Sequence, residues 1–107
     1  MQISRTASGT VAIAAYRGRH FQGYALRVAE GWTCIISLGM TYSKLQCRTA
    51  DEARCTLRTM THAARFDDFR DVDELISTIN KLPPFQQPGI MPDQISGFRA
   101  RLPKLVS

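Results

Sequence analysis

The spacing of apolar residues changes once along this chain, and that change limits the folds open to it. Between Thr10 and Arg48 apolar and polar residues largely alternate, which is the pattern of half-buried β-strands. From residue 49 onward apolar residues recur every three or four positions, which is the pattern of amphipathic helices. A run of strands followed by a run of helices predicts an α+β fold.

Four strand-like runs precede the change in spacing. They cover residues 10–17, 21–29, 32–38 and 42–48. Turns containing Gly31 and Gly39 separate the last three runs, and glycine supplies the positive φ that such turns often need. Because the connections are short, we predict a four-stranded antiparallel β-meander.

Two helices are predicted after the meander. Thr49 and Glu52 have the spacing of a capping box, so the first helix should begin at Thr49. The second should begin at Asp71 and end at Pro83, which cannot continue a helix. The expected apolar stripes are Ala53, Leu57, Met60 and Ala64 on the first helix, and Val72, Leu75, Ile76, Ile79 and Leu82 on the second. We expect both helices to pack on one face of the sheet.

The last quarter of the chain differs in composition from the rest. All five prolines follow residue 82, and they are accompanied by apolar residues such as Ile95, Leu102 and Val106. We therefore predict one α+β domain over residues 1–82 and a Pro-rich C-terminal arm over residues 83–107. The arm is too apolar for a free tail, so it should dock on the domain or on a partner.

Charge is unevenly distributed along the 107 residues, which carry a formal net charge of +5. Residues 1–65 hold nine basic and three acidic side chains, whereas residues 66–92 hold two basic and five acidic ones. Residues 93–107 are basic again, with three basic side chains and one acidic. A uniform positive excess would favour nucleic acid as a partner. The alternation instead indicates a polarised surface that can steer a complementary partner.

Residues 16–24 form the stretch with the most functional character, because arginine and aromatic residues are enriched in protein interfaces. The predicted partner-binding residues are Tyr16, Arg17, Arg19, His20, Phe21 and Tyr24, with Phe98, Arg99 and Arg101 of the arm as a second patch. The same residue types can also hold phosphates and stack on bases. The alternative nucleic-acid surface comprises Arg17, Arg19, Arg48, Arg54, Arg58 and Arg65. A third interpretation is an ordinary hairpin whose glycines make the turn and whose rings cover the sheet.

Motifs for catalysis or metal binding are missing from the sequence. Cys55 and His62 are seven residues apart on the predicted helix, which separates them by about 10 Å and prevents a thiol–imidazole contact. The cysteines lack the spacing of a zinc site, and the acidic residues 67–74 do not match a calcium loop. We therefore expect no enzyme, no metal and no cofactor. An enzyme would need a pocket that gathers histidine, cysteine and acidic groups from separate elements.

These observations favour a small non-enzymatic binding module that occludes or regulates a protein partner, as inhibitors, immunity proteins and regulators do. The alternative is a nucleic-acid-binding module. Three cysteines, an odd number, and a polar N-terminus favour reduced thiols in the cytoplasm. The sequence has no apolar run long enough for a membrane helix, and so no membrane partner is expected. A homodimer is compatible with the polarised charge.

Overall fold

The computed structural model describes residues 9–29, 31–38 and 41–95, and these contain one antiparallel sheet of five strands. In chain order the strands are β1 (Ala12–Arg17), β2 (His20–Val28), β3 (Gly31–Leu38), β4 (Thr41–Cys47) and β5 (Arg65–Phe69). The helices are α1 (Ala50–Thr61) and α2 (Val72–Asn80). The order across the sheet is β4-β3-β2-β1-β5, so the predicted meander is extended by a strand beside β1.

The prediction of four strands was wrong because it missed β5. The five residues of β5 include three charged side chains and two phenylalanines three positions apart, so they show no alternation. The strand is fixed by its pairing with β1, in which Tyr16 lies opposite Arg65 and Ala12 opposite Phe69. Charged side chains suit it because it is an edge strand, where they discourage pairing with other chains. Arg65 was expected near the first helix and lies on β5 instead.

The helices cover opposite faces of the sheet, which corrects the expectation that both pack on one face. Ala50, Ala53 and Leu57 of α1 pack against one face, and Val72, Leu75 and Ile79 of α2 pack against the other. The physical reason lies in β1 and the residue before it, since residues 11–15 are apolar at every position and completely buried. A strand that is apolar on both sides needs a cover on both faces.

The apolar face of α1 was predicted correctly only in part. Ala53 and Leu57 are buried, but Met60 is 54% exposed, and Thr61 is buried instead. The predicted cap is present, because the Thr49 hydroxyl accepts a hydrogen bond from the Glu52 N–H at 3.0 Å. The Glu52 carboxylate accepts from the Arg48 N–H at 2.6 Å, not from that of Thr49.

Residues 83–95 pack on the same face as α2. They form two short 3₁₀ turns, Pro84–Gln86 and Pro92–Gln94, and Pro92 and Ile95 are buried. The Tyr24 hydroxyl donates a hydrogen bond to the Ile90 carbonyl at 2.6 Å, which ties this segment to the middle of β2. The described part of the Pro-rich segment therefore docks on the chain's own sheet. The division of the chain at residue 82 stays a prediction.

In the part of the chain that the structure describes, neither helix has the length and apolar character to cross a membrane.

Candidate partner-binding surface

The turn between β1 and β2 exposes the polar residues of the predicted site. Gly18 lies in this turn with φ of +62°, a conformation that glycine adopts without steric cost. Arg17, Arg19 and His20 on either side of Gly18 are exposed. These three side chains are therefore available to a partner.

The aromatic residues of the predicted site lie in the core instead. Tyr16, Phe21 and Tyr24 are buried beneath α2 and residues 83–95. The rings of Tyr16 and Phe21 meet edge to face with centroids 5.7 Å apart. Burial raises the pKa of both tyrosine hydroxyls, and the Asp93 carboxylate raises that of Tyr24 further. The structure thus divides the predicted site into an exposed cationic turn and a covered aromatic row. Phe98, Arg99 and Arg101, the second predicted patch, lie outside the described residues.

Two arginines of the alternative nucleic-acid set lie close to this turn. The Arg65 guanidinium stacks 4.1 Å from the centroid of the Tyr16 ring and forms an ion pair with Asp67 at 3.0 Å. The Arg58 guanidinium lies 5.3 Å from the centroid of the Phe66 ring. Both arginines remain exposed. Arg58 adds positive charge to the surface around the turn, whereas the charge of Arg65 is offset by Asp67.

Arg54 has a structural contact that removes it from the surface. Its side chain is only 15% exposed, and its Nη2 lies 2.6 and 2.7 Å from the two carboxylate oxygens of Asp68. The pair joins α1 to β5 across one face of the sheet. Arg48 lies before the start of α1, at the opposite end from Arg58. The arginines of the first helix therefore do not form one continuous stripe.

We expect Asp68→Asn to lower the free energy of unfolding by about 1–2 kcal/mol, because it removes the close carboxylate of a largely buried guanidinium and leaves only the exposed Asp51 carboxylate at 3.5 Å. The matched control is Asp67→Asn, whose partner Arg65 is more exposed and whose ion pair should contribute less than about 0.5 kcal/mol. Urea denaturation followed by circular dichroism measures both values. Equal losses for the two variants would show that the Arg54–Asp68 pair does not hold α1 to β5.

Both helices end where the β1–β2 hairpin turns. α1 begins shortly after Cys47, the last residue of β4, which pairs with Trp32 at the end of the sheet away from the β1–β2 turn. It ends shortly before Arg65, which pairs with Tyr16 beside that turn. α2 follows the opposite end of β5, and the chain after it returns to the hairpin, where the Gln86 side chain accepts a hydrogen bond from the Phe21 N–H at 3.1 Å. The two helices therefore run in the same direction along the sheet.

This arrangement separates the charges in space. We call the end with the β1–β2 turn the hairpin end; its exposed basic side chains are Arg17, Arg19, His20, Arg58, His62, Arg65 and Lys81. The other end, the helix-start end, holds the acidic residues Asp51, Glu52, Asp71, Asp73 and Glu74 together with Arg48 and Arg70. Acidic residues are favourable there because helix N-termini carry partial positive charge. The hairpin end is thus the more cationic end of the molecule.

One aromatic residue at the hairpin end escaped the sequence interpretation. Phe85 lies in the turn Pro84–Gln86, next to the glutamine that contacts Phe21, and it is 80% exposed. The only signal for it in the sequence is its place after two prolines, which indicates a rigid turn but not which way the ring points.

The cysteines do not form a reactive centre. Cys34 and Cys47 are buried with their sulfurs 3.6 Å apart, and burial together with the neighbouring Cys47 raises the pKa of the Cys34 thiol. Cys55 is exposed and lines a shallow cavity of about 360 Å³ on the outer side of α1. Within the described ranges no group of three His, Cys, Asp or Glu side chains could hold a metal ion.

We expect a thiol reagent such as Ellman's reagent at neutral pH to modify only Cys55 rapidly in the folded protein. Cys34 and Cys47 should react at least about a hundredfold more slowly, because both sulfurs are buried away from the reagent and burial also raises the pKa of the Cys34 thiol. In denaturant all three should react at similar rates. Rapid release of one equivalent or more from the native Cys55→Ser variant would contradict the buried positions of the other two.

Comparison of this chain with protein-family models, with curated proteins and with solved structures found no match.

Proposed function

We propose that this chain is a small non-enzymatic binding module that occludes or regulates a protein partner with an acidic surface. The observation that carries the proposal is the concentration of exposed basic side chains, with the exposed rings of Phe85 and Tyr42, at the hairpin end. Arginine and aromatic side chains supply much of the binding free energy in protein interfaces. Basic side chains at one end also steer an acidic partner toward that end during encounter.

Ring contacts that position two arginines at this end support the proposal. Arg17 and Arg19 stand on a tight turn between two long strands, and Arg65 and Arg58 rest on aromatic rings. Side chains that are held in place before binding lose less conformational entropy on binding. A compact sheet with a fixed cationic end is well suited to cover a site on another protein.

A nucleic-acid-binding function is the alternative, and the same basic side chains support it. The contacts of Arg54 with Asp68 and the location of Arg48 at the far end weaken it, because fewer arginines remain for one phosphate path. Its signature would be an affinity for generic DNA or RNA that falls steeply with salt concentration.

The proposed binding module is also placed in the cytoplasm, because its cysteines are free thiols.

The test is an affinity pull-down from an extract of the native cell, with and without nuclease. We expect the wild-type chain to retain a protein after nuclease treatment. The double variant Arg17→Glu/Arg19→Glu should lose it, whereas Lys44→Glu/Arg48→Glu, an equal charge change on exposed residues away from the hairpin end, should keep it. Loss of the protein on nuclease treatment would support the alternative. Equal retention by both double variants would contradict the use of the hairpin end.

A further inference from the structure

Phe85 is the most exposed large apolar side chain among the described residues. It is 80% exposed, compared with 54% for Met60 and 42% for Tyr42. An isolated apolar side chain on a surface is ordinary, so exposure alone does not indicate a function. Two further features distinguish Phe85: hydrogen bonds hold the backbone around it, and basic side chains lie at the same end of the molecule.

The backbone on both sides of Phe85 is fixed. Two prolines precede it, and Pro88, which follows shortly after, is buried. The Gln86 side chain accepts the Phe21 N–H at 3.1 Å, and the Gln87 side chain donates to the Leu82 carbonyl at 3.1 Å. Because these contacts hold the turn, little backbone conformational entropy is lost when a partner covers the ring.

Basic side chains lie at the same end of the molecule as Phe85. Its neighbour Gln86 contacts the residue after His20, so Phe85 lies at the end of the sheet where the β1–β2 turn carries Arg17 and Arg19. Lys81, at the end of α2, is on the same side of the molecule. An apolar group among cations is complementary to a surface that combines carboxylates with an apolar side chain.

We propose that Phe85 is the apolar anchor of the hairpin end, and that its partner is an acidic protein segment with an apolar side chain that packs on the ring. This rests on the proposed function above and adds the chemistry of the partner. The two kinds of residue then have separate effects. The basic side chains set the association rate and its salt dependence, and Phe85 sets the dissociation rate.

A protein segment fits this surface better than a nucleic acid does. Binding of single-stranded nucleic acid uses a basic groove that follows the backbone, with rings on which successive bases stack. Here the basic side chains cluster at one end, and the guanidinium faces of Arg58 and Arg65 are already covered by the rings of Phe66 and Tyr16. Arg65 Nη1 already donates to the Asp67 carboxylate, so Arg58 is the one of the two whose in-plane N–H groups face a partner's carboxylates.

The experiment uses random peptides displayed on phage and selected against the full chain at low salt. We expect the selected peptides to be rich in Asp and Glu and to contain an aliphatic or aromatic residue. Synthetic copies should bind Phe85→Ala roughly tenfold to a hundredfold more weakly, mainly through faster dissociation. The control Met60→Ala removes another exposed apolar side chain on the opposite face of the sheet and should bind like the wild type. Both variants should unfold at the wild-type denaturant concentration, because neither side chain is buried.

The outcomes separate this inference from the function on which it rests. If Arg17→Glu/Arg19→Glu abolishes peptide binding but Phe85→Ala does not, the anchor is refuted and the cationic surface stands. If neither variant changes binding, or no peptide is selected, both proposals fail. Labelled single-stranded oligonucleotides are tested in parallel with the same variants. Phe85-dependent binding of an oligonucleotide that is tighter than any peptide would refute a protein partner.

Discussion

Replacing Gly23 by alanine is expected to lower the free energy of unfolding by about 2–4 kcal/mol. Gly23 lies inside β2, opposite Ala15 on one side and Ile36 on the other. A Cβ at this position would overlap the backbone carbonyl oxygen of Ile35. Since the obstacle is backbone and not a flexible side chain, a change of rotamer cannot relieve it, and β2 and β3 would have to separate.

The matched control is Gly18→Ala in the β1–β2 turn. Gly18 has φ of +62°, but a Cβ there would meet no atom within 4 Å. The expected cost is therefore only the steric cost of a left-handed conformation, about 1 kcal/mol. Urea denaturation gives both values. A loss at Gly23 no larger than that at Gly18 would show that close strand approach does not require glycine in β2.

The sequence predicted those parts of the fold that depend on neighbouring residues. The alternation in β2 correctly placed Tyr24 and Leu26 on one face and Ala25 on the other. The Thr49 cap was also correct, because a cap involves only the first turn of a helix. Both features are encoded within a few residues, so reading along the chain recovers them.

The missed parts of the fold depend on residues that are distant in sequence. β5 has no alternation of its own and exists through its pairing with β1, about fifty residues earlier. Likewise, the face that α2 covers is decided by which side of β1 remains uncovered after α1 has packed. The apolar run from Val11 to Ala15 carries that information, but a search for alternation predicts a strand with only one buried face.

The candidate site shows the same division. The exposure of Arg17, Arg19 and His20 follows from their place in a turn, and the sequence indicated it. Which arginines remain free could not be predicted, because Arg54 is neutralised by Asp68, a residue of the missed strand. The sequence shows which segments are basic and which are acidic, but it does not show at which end of the folded molecule each segment lies. That direction arises because both helices run the same way along the sheet.

The second large effect is expected for Leu57→Ala, which should lower the free energy of unfolding by about 2–5 kcal/mol. Leu57 is completely buried between α1 and the sheet, in the cluster that contains Ile13 and Trp32. The sheet beneath it presents small side chains such as Ala15 and Ala25. Alanines have no side-chain atoms that can move into the space, so truncation should leave a cavity.

The comparison with Met60→Ala determines how α1 is rotated about its axis. A stripe of Ala53, Leu57, Met60 and Ala64 would bury Met60, whereas the structure buries Thr61 instead. Thr61 can lie on the apolar face because its hydroxyl donates a hydrogen bond to the Leu57 carbonyl at 2.6 Å, which satisfies it within the helix. We therefore expect Met60→Ala to change stability by less than about 0.5 kcal/mol. A loss comparable to that of Leu57→Ala would mean that α1 presents the stripe predicted from the sequence, with Met60 against the sheet.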